Sequence, residues 1–353
     1  MTSPHLPPDA CNVVTHYRLQ SLWKTLFVVF IGFLSGICAT FVAVAWIVPQ
    51  YGTPTTIPSF NQSNRGTSSD TPDTFLSQQT EQRILTLFDS RKKVAKKFYP
   101  ESAFLGEAAL LSSDGWAVVY DPDNQLPDTS LWDGVDHQGI SHTVLRTVRD
   151  TTHNLIYVQF SGEGFRIMSF VSFDDETVGD ALWSLSRSTW ARTYAEEPVR
   201  LKEASSIVAW QEVSAVRVLP LPPKKSILLS NSGALYGFAS SNGIVVPAWL
   251  MDYELGSILT RGTITFNAVS WKGFFVTKKT DGTVTKAADG FYIESAARGE
   301  SVKAGDLVTR VNGKSVTPER LSHDLLTAPD QFTATVLRGE TEIEVTIRKS
   351  EVK

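Results

Sequence analysis

Ser232 stands in the run Leu229-Ser230-Asn231-Ser232-Gly233-Ala234-Leu235, a small-residue loop beside an apolar run. A serine hydroxyl is a poor nucleophile near neutral pH unless a positioned base takes its proton. The backbone around such a serine must also present N–H groups to an oxyanion, and glycine eases the geometry that needs. Candidate bases near it in the chain are His137, His142 and His153. Metal chemistry has no support in the spacing. The histidines (His5, His16, His137, His142, His153, His323) form no ligand pattern such as His-Glu-x-x-His. Cys11 and Cys38 are the only cysteines, so no intrachain disulfide staples the large C-terminal portion. No metal and no cofactor are expected.

These residues must be positioned by a chain of 353 residues, 42% hydrophobic and 20% charged, long enough for two or three domains. A net charge of −4 gives no electrostatic reason to expect nucleic acid as a partner. The basic run Arg91-Lys92-Lys93-Val94-Ala95-Lys96-Lys97 is the local exception and reads as a solvated helix face.

Thr25 to Val48 carries no charge and is bracketed by Trp23-Lys24 and by Trp46 and Pro49. As a helix it would span about 36 Å, enough to cross a hydrocarbon core of about 30 Å with some tilt. Arg18 and Lys24 precede it and the next basic residue is Arg65, which places the N-terminus in the cytoplasm and the bulk of the chain outside the membrane. The expectation is a single-pass membrane protein; a cleaved signal peptide is the rival, because Ala43-Val44-Ala45 resembles a cleavage site. Gly32 and Gly36 make a G-x-x-x-G that would favour self-association of the span.

The expected organisation is a cytoplasmic N-terminus at 1–24, a transmembrane helix at 25–48, a flexible Pro/Ser/Thr-rich spacer at 49–79, a β domain at 80–255 and a second unit at 256–350. Within the β domain a helix is expected from Thr80 to Phe98, on the apolar stripe Ile84, Leu85, Leu87, Phe88 and Val94. Short strands follow at Ala108–Ser112, Trp116–Tyr120, Asn154–Phe160, Ser206–Trp210 and Ser214–Leu219, punctuated by turn residues, which argues a barrel or sandwich. Trp183, Trp190, Trp210 and Trp249 read as core. In the last unit Asn312-Gly313 predicts a tight hairpin, Thr317-Pro318 a helix start, and 333–337 and 342–347 two alternating strands.

Several stretches resemble the membrane-bound HtrA/Deg serine proteases, over residues 100 to 350. Gly290-Phe-Tyr-Ile-Glu-Ser-Ala-Ala-Arg-Gly and Ala304-Gly305-Asp306-Leu307-Val308-Thr309-Arg310-Val311-Asn312-Gly313-Lys314 look like the PDZ core of that family. Ser113-Asp114-Gly115-Trp116-Ala117-Val118 looks like the first hairpin of its protease domain, and Ser232 matches the nucleophile. The resemblance implies a mainly β chain: N-terminal transmembrane helix, trypsin-like double β-barrel and C-terminal PDZ domain.

The departures fall on the chemistry. Where the family places its catalytic His this chain reads Val119-Tyr120-Asp121-Pro122-Asp123, and the position of the catalytic Asp is Asn154. Ser230 replaces a glycine before the nucleophile, and Ser-Gly-Ala lacks one of the family's two following glycines. His153, next to Asn154, is the candidate for a rewired dyad; an ordinary loop histidine is the alternative. The PDZ resemblance implies a carboxylate loop at Trp271-Lys272-Gly273-Phe274, with Phe274 and Val276 facing a bound peptide, Leu321 and Leu325 on the opposite wall, and Lys272 attracting the terminal carboxylate. The alternative for the apolar members is simple core.

The expected function is therefore a membrane-tethered pseudoprotease that binds polypeptide segments or C-termini, as an adaptor or in envelope protein quality control. Its partners would be polypeptides, the membrane, and a homo-oligomer or an active protease, with no nucleic acid. An active serine endopeptidase using Ser232 and a non-standard base is the alternative, and an envelope structural protein assembled through its PDZ domain is a third.

Overall fold

Trp116-Ala-Val-Val-Tyr120 is apolar throughout and does not alternate, which is how a strand covered on both faces reads. In the computed structural model, which describes residues 71–200, 214–276, 290–296 and 300–352, all five of these residues are buried. The membrane-span expectation, residues 49–70 of the expected spacer, and the strand at 206–210 with Trp210 lie outside the described residues; the last part of the spacer, from Thr74, is helical instead of flexible. Among the described residues no helix is long and apolar enough to cross a membrane.

Helix α1 (Thr74–Glu81) is capped by Asp73, whose carboxylate accepts from Leu76 N–H at 2.6 Å. Six strands then close a barrel: β1 (Ile84–Asp89), β2 (Phe104–Leu110), β3 (Trp116–Tyr120), β4 (Trp132–Val135), β5 (Ser141–Asp150) and β6 (Leu155–Phe160), ordered β1-β2-β3-β6-β5-β4. The helix expected over Thr80–Phe98 is not formed. Its apolar residues fit a strand as well as a helix, and pairing with β2 and β4 decides: Leu85 and Leu87 point into the barrel. Val94, counted in the helical stripe, and Phe98, the expected helix end, are 56% and 67% exposed, and the basic run forms a short turn and loop rather than a helix face.

The period-two pattern divides labour. Leu85, Leu87, Ala117, Val119, Ile156, Val158 and Phe160 fill the barrel around Trp132, while Ile84, Trp116, Val118, Tyr120, Leu155 and Tyr157 face a second core. That core is shared with a second sheet. It comprises β7 (Ala181–Ser186), β8 (Thr189–Ala195), β11 (Val218–Leu219), β12 (Ser226–Leu229), β13 (Leu235–Ala239) and β14 (Val245–Pro247), in the order β11-β8-β7-β12-β13-β14. A small pair, β9 (Val199–Arg200) and β10 (Ser214–Ala215), stands beside it. Trp183, Leu185, Ile227, Leu229, Leu235 and Phe238 are its contribution to the shared core.

Helix α2 (Ala248–Arg261) follows, running across position 255, and Gly262 ends it in a left-handed conformation. Its Ala248, Leu250, Met251, Leu255 and Ile258 lie in the shared core. The chain then forms β15 (Phe266–Ala268), β16 (Lys272–Val276), β17 (Gly290–Ser295), β18 (Leu307–Val311), β19 (Lys314–Ser315), α3 (Leu321–Thr327), β20 (Gln331–Arg338), β21 (Thr341–Arg348) and β22 (Ser350–Val352). The sheet order is β16-β17-β18-β20-β21, with β19 on β18 and β15 on β22. The Asn312-Gly313 hairpin forms as expected, with φ of 48° and 77°. Helix α3 starts later than Thr317-Pro318 suggests, because the Thr317 carbonyl first closes a turn with the N–H groups of Arg320 and Leu321. Leu326 of α3 sits in the core shared by the barrel and the second sheet, while Leu321 and Leu325 join the separate core of the C-terminal sheet.

Asp306 is 1% exposed and takes two bonds from Arg338, both 2.7 Å, and one from Lys303 N–H at 2.8 Å. Burial raises its carboxyl, but the Arg338 bonds, the Lys303 N–H and the charges of both residues together outweigh this and hold it below the usual carboxylate range. A depressed carboxyl contributes stability that is present above its unfolded value of about 4 and is lost as pH falls through the folded value. Asp306→Asn is thus expected to destabilise the chain at pH 7, and its difference from wild type in denaturant midpoint to shrink below about pH 4.

Candidate functional site

The turn that carries Ser232 joins β12 to β13 with only Ser230–Ala234 between them. Its polar groups are turned inward. Ser230 N–H donates to the Ala234 carbonyl at 2.9 Å, and Gly233 N–H to the Ser230 carbonyl at 3.0 Å. The Ser230 hydroxyl accepts from Ser232 N–H at 3.3 Å and Ala234 N–H at 3.2 Å, and lies 2.8 Å from Ser232 Oγ. An oxyanion hole of the chymotrypsin type uses the nucleophile's own N–H and that of the residue two before it. Here those two donors, on Ser232 and Ser230, already serve the hairpin. From outside, Arg192 binds Asn231 Oδ1 at 2.9 Å, and a Cβ on Gly233 would lie 2.9 Å from Leu76 of α1.

The other two positions of a triad lie towards the opposite end of β12 from this turn. β3 and β6 pair Tyr120 with Leu155, and Asp121 N–H donates to the Asn154 carbonyl at 2.9 Å, so Asp121 and Asn154 share one end of the first barrel. Tyr120 stacks on Phe238 at 5.9 Å, and Asp121 pairs with Lys225 at 2.9 Å, just before β12. Lys225 and Ser230 stand at opposite ends of β12, separated by about 16 Å of extended chain. Asp121 is buried and caps the loop after β3 through Gln125 and Leu126 N–H.

The three candidate bases are likewise occupied or remote. His142 bonds the Ser161 carbonyl at 2.7 Å and Asp136 at 3.2 Å. His137 is exposed on the turn after β4. His153 lies between β5 and β6, where its Nδ1 is 2.5 Å from Asp150 Oδ2 and 3.7 Å from Glu254 Oε1 of α2. Burial pulls the imidazole down, but Asp150 and then Glu254 outweigh it and raise His153 to about 10. Burial dominates at Glu254 and pushes it up to about 7. A charged imidazolium held by carboxylates is no general base. Among the described residues, then, no base contacts Ser232.

Glu254 and Tyr157 were not singled out from the sequence. A signal existed: Glu254 sits on the same helical face as Leu250, Met251 and Ile258, where a carboxylate requires a partner. Tyr157 supplies one, donating to Glu254 Oε2 at 2.7 Å.

The residues of the implied peptide loop separate into two groups. Trp271 is fully buried, with Nε1–H on Glu300 Oε2 at 2.9 Å, and Leu321 and Leu325 are 1% and 2% exposed in the same core. These three have no surface to offer a ligand. Lys272 is exposed, Gly273 is buried at a bulge in the β16–β17 pairing, and Phe274 and Val276 are half-buried. Phe274 packs on Tyr292 at 5.2 Å, whereas Phe275 turns inward onto Phe291. β16 ends the sheet and pairs with β17 alone, so among the described residues its other edge has no strand partner.

No family profile matches the chain, and no curated protein matches it. Solved structures do. The HtrA-type protease AlgW with decapeptide aligns over 79% of this chain and 98% of its own, at 14% identity and a TM-score of 0.52. The same protease with tripeptide aligns over 80% and 98%, at 14% identity and 0.51. The chain therefore has the fold of HtrA-type, trypsin-like proteases.

Proposed function

We propose that this chain is a membrane-tethered protein of HtrA-type fold that binds polypeptide and does not cleave it. The observation that carries the reading is the closed Ser230–Ala234 turn, whose would-be oxyanion donors bond the hairpin itself. Electrostatic stabilisation of the oxyanion is commonly the largest single contribution to acyl transfer, and the missing base removes nucleophile activation as well. What remains is the edge of β16. An extended peptide adding there would gain main-chain hydrogen bonds, pack on Phe274 and Val276, and bring a terminal carboxylate towards Lys272. This is PDZ-type recognition, in keeping with the sequence resemblance and with AlgW structures that contain peptides. The span 25–48 would hold the binding surface outside the membrane, which suits an adaptor or envelope quality control.

The test uses the purified full-length chain and its Ser232→Ala variant, with a fluorophosphonate probe, unfolded casein and a library of C-terminal peptides. The expected result is no labelling and no cleavage by either protein, together with saturable peptide binding that Phe274→Ala or Lys272→Ala weakens at least tenfold. Labelling or cleavage lost only in Ser232→Ala would overturn the reading in favour of an active endopeptidase. Failure of every peptide to bind would leave the structural envelope role.

A further inference from the structure

We propose that Asp150, His153 and Glu254 form a binding site for one divalent transition-metal ion of the zinc class. Their ligand atoms, a carboxylate oxygen each from Asp150 and Glu254 and a ring nitrogen from His153, all lie within 4.8 Å of one another.

The argument starts from Glu254, which is 0% exposed. Its Oε2 takes the Tyr157 hydroxyl, but its Oε1 is buried with no hydrogen-bond partner. Leaving such an oxygen unmade in a protein interior is costly. The group it faces is His153 Nδ1, at 3.7 Å, beyond hydrogen-bond reach. That nitrogen carries at most one proton, and the 2.5 Å separation assigns it to Asp150 Oδ2. One proton thus satisfies one of two carboxylates that flank a single nitrogen.

A divalent cation satisfies all three atoms at once and balances both negative charges. Zinc bonds to imidazole nitrogen and carboxylate oxygen of about 2.0–2.2 Å place tetrahedral donors about 3.4 Å apart. The His153–Glu254 separation is already close to this, and the Asp150–His153 contact needs to open by about 1 Å. Binding at Nδ1 displaces its proton to solvent. An imidazole with only two carboxylates suits zinc better than calcium or magnesium, which take oxygen-rich shells.

The supports around the cluster are those a metal site uses. Tyr157 orients Glu254, and Thr152 N–H at 2.8 Å and His153 N–H at 3.1 Å orient Asp150. The His153 side chain retains 10% exposure, so solvent reaches the cluster and could supply a water as fourth ligand. The site would tie the β5–β6 turn of the first barrel to α2, the helix that leads to the C-terminal sheet. Sequence spacing could not announce it, because Glu254 lies 101 positions beyond His153.

The test is isothermal titration of the metal-stripped full-length chain with zinc chloride, with metal content by mass spectrometry and thermal melting alongside. One zinc per chain is expected, together with a rise in melting temperature. Glu254→Gln keeps the size of the side chain and its acceptor for Tyr157, yet it is expected to weaken zinc binding at least tenfold and to abolish the thermal shift. Asp150→Asn is the second variant, for use if the first fails to fold. Cobalt(II) added in place of zinc should give the visible absorption of a four-coordinate site in the wild type alone. Absence of stoichiometric binding, or equal binding by a folded variant, would overturn the proposal.

Discussion

Gly273→Ala is expected to unfold the C-terminal sheet and, with it, to remove any peptide binding. A Cβ at Gly273 would stand 1.8 Å from the Tyr292 carbonyl oxygen, 2.9 Å from its carbon and 3.0 Å from the Phe291 ring. Two of these neighbours are backbone of the paired strand, at the bulge where the β16 register shifts between Lys272 and Gly273. Neither can move without breaking the β16–β17 ladder, so a rotamer change cannot relieve the clash. The cost is expected to exceed about 4 kcal/mol, which places the substitution among the severe ones. Loss of the second transition in a calorimetric melt, or a lowered single midpoint, would register it. A stably folded Gly273→Ala chain that binds peptide as wild type does would show that the Lys272–Phe274 turn has another conformation.

The second large effect is at Trp271, and it separates a core role from a ligand-binding one. The indole is completely buried among Val302, Leu321, Leu325 and Phe332. Its N–H, with Ser270 N–H at 3.3 Å, holds the Glu300 carboxylate. Trp271→Ala removes the packing and leaves Glu300 short of a donor, at a cost of about 3–5 kcal/mol. Trp271→Phe keeps most of the volume and loses only the hydrogen bond, for about 1–2 kcal/mol. Urea denaturation followed by far-ultraviolet circular dichroism is the measurement. A Trp271→Ala protein of wild-type stability that had lost only peptide affinity would return the side chain to the carboxylate loop that the sequence resemblance implies.

Much of the scaffold was legible in local pattern. Trp116–Tyr120 read as a strand because five consecutive apolar residues bounded by turn signals fit a doubly covered strand. The strands β20 and β21 were legible from period-two alternation, and their partner hairpin from Asn312-Gly313. The lack of a His after β3 and the Asn at 154 were also plain from residue identity. The spacing of Ile84–Asp89 suits a helix as well as a strand, and only pairing with β2 and β4 selects the strand.

By itself, then, the sequence determined which residue types are available: a serine in a small-residue loop, no histidine where a base belongs, and apolar faces enough for barrels. These are properties of single positions and short periods, which a linear pattern carries. The tertiary structure alone decided what each face meets. It closed the Ser232 turn upon its own N–H groups, buried Trp271, Leu321 and Leu325, and brought Glu254 of α2 against His153 and Tyr157. Contacts between residues a hundred positions apart depend on how sheets twist and stack, and periodicity says that a face is buried without naming the partner that covers it.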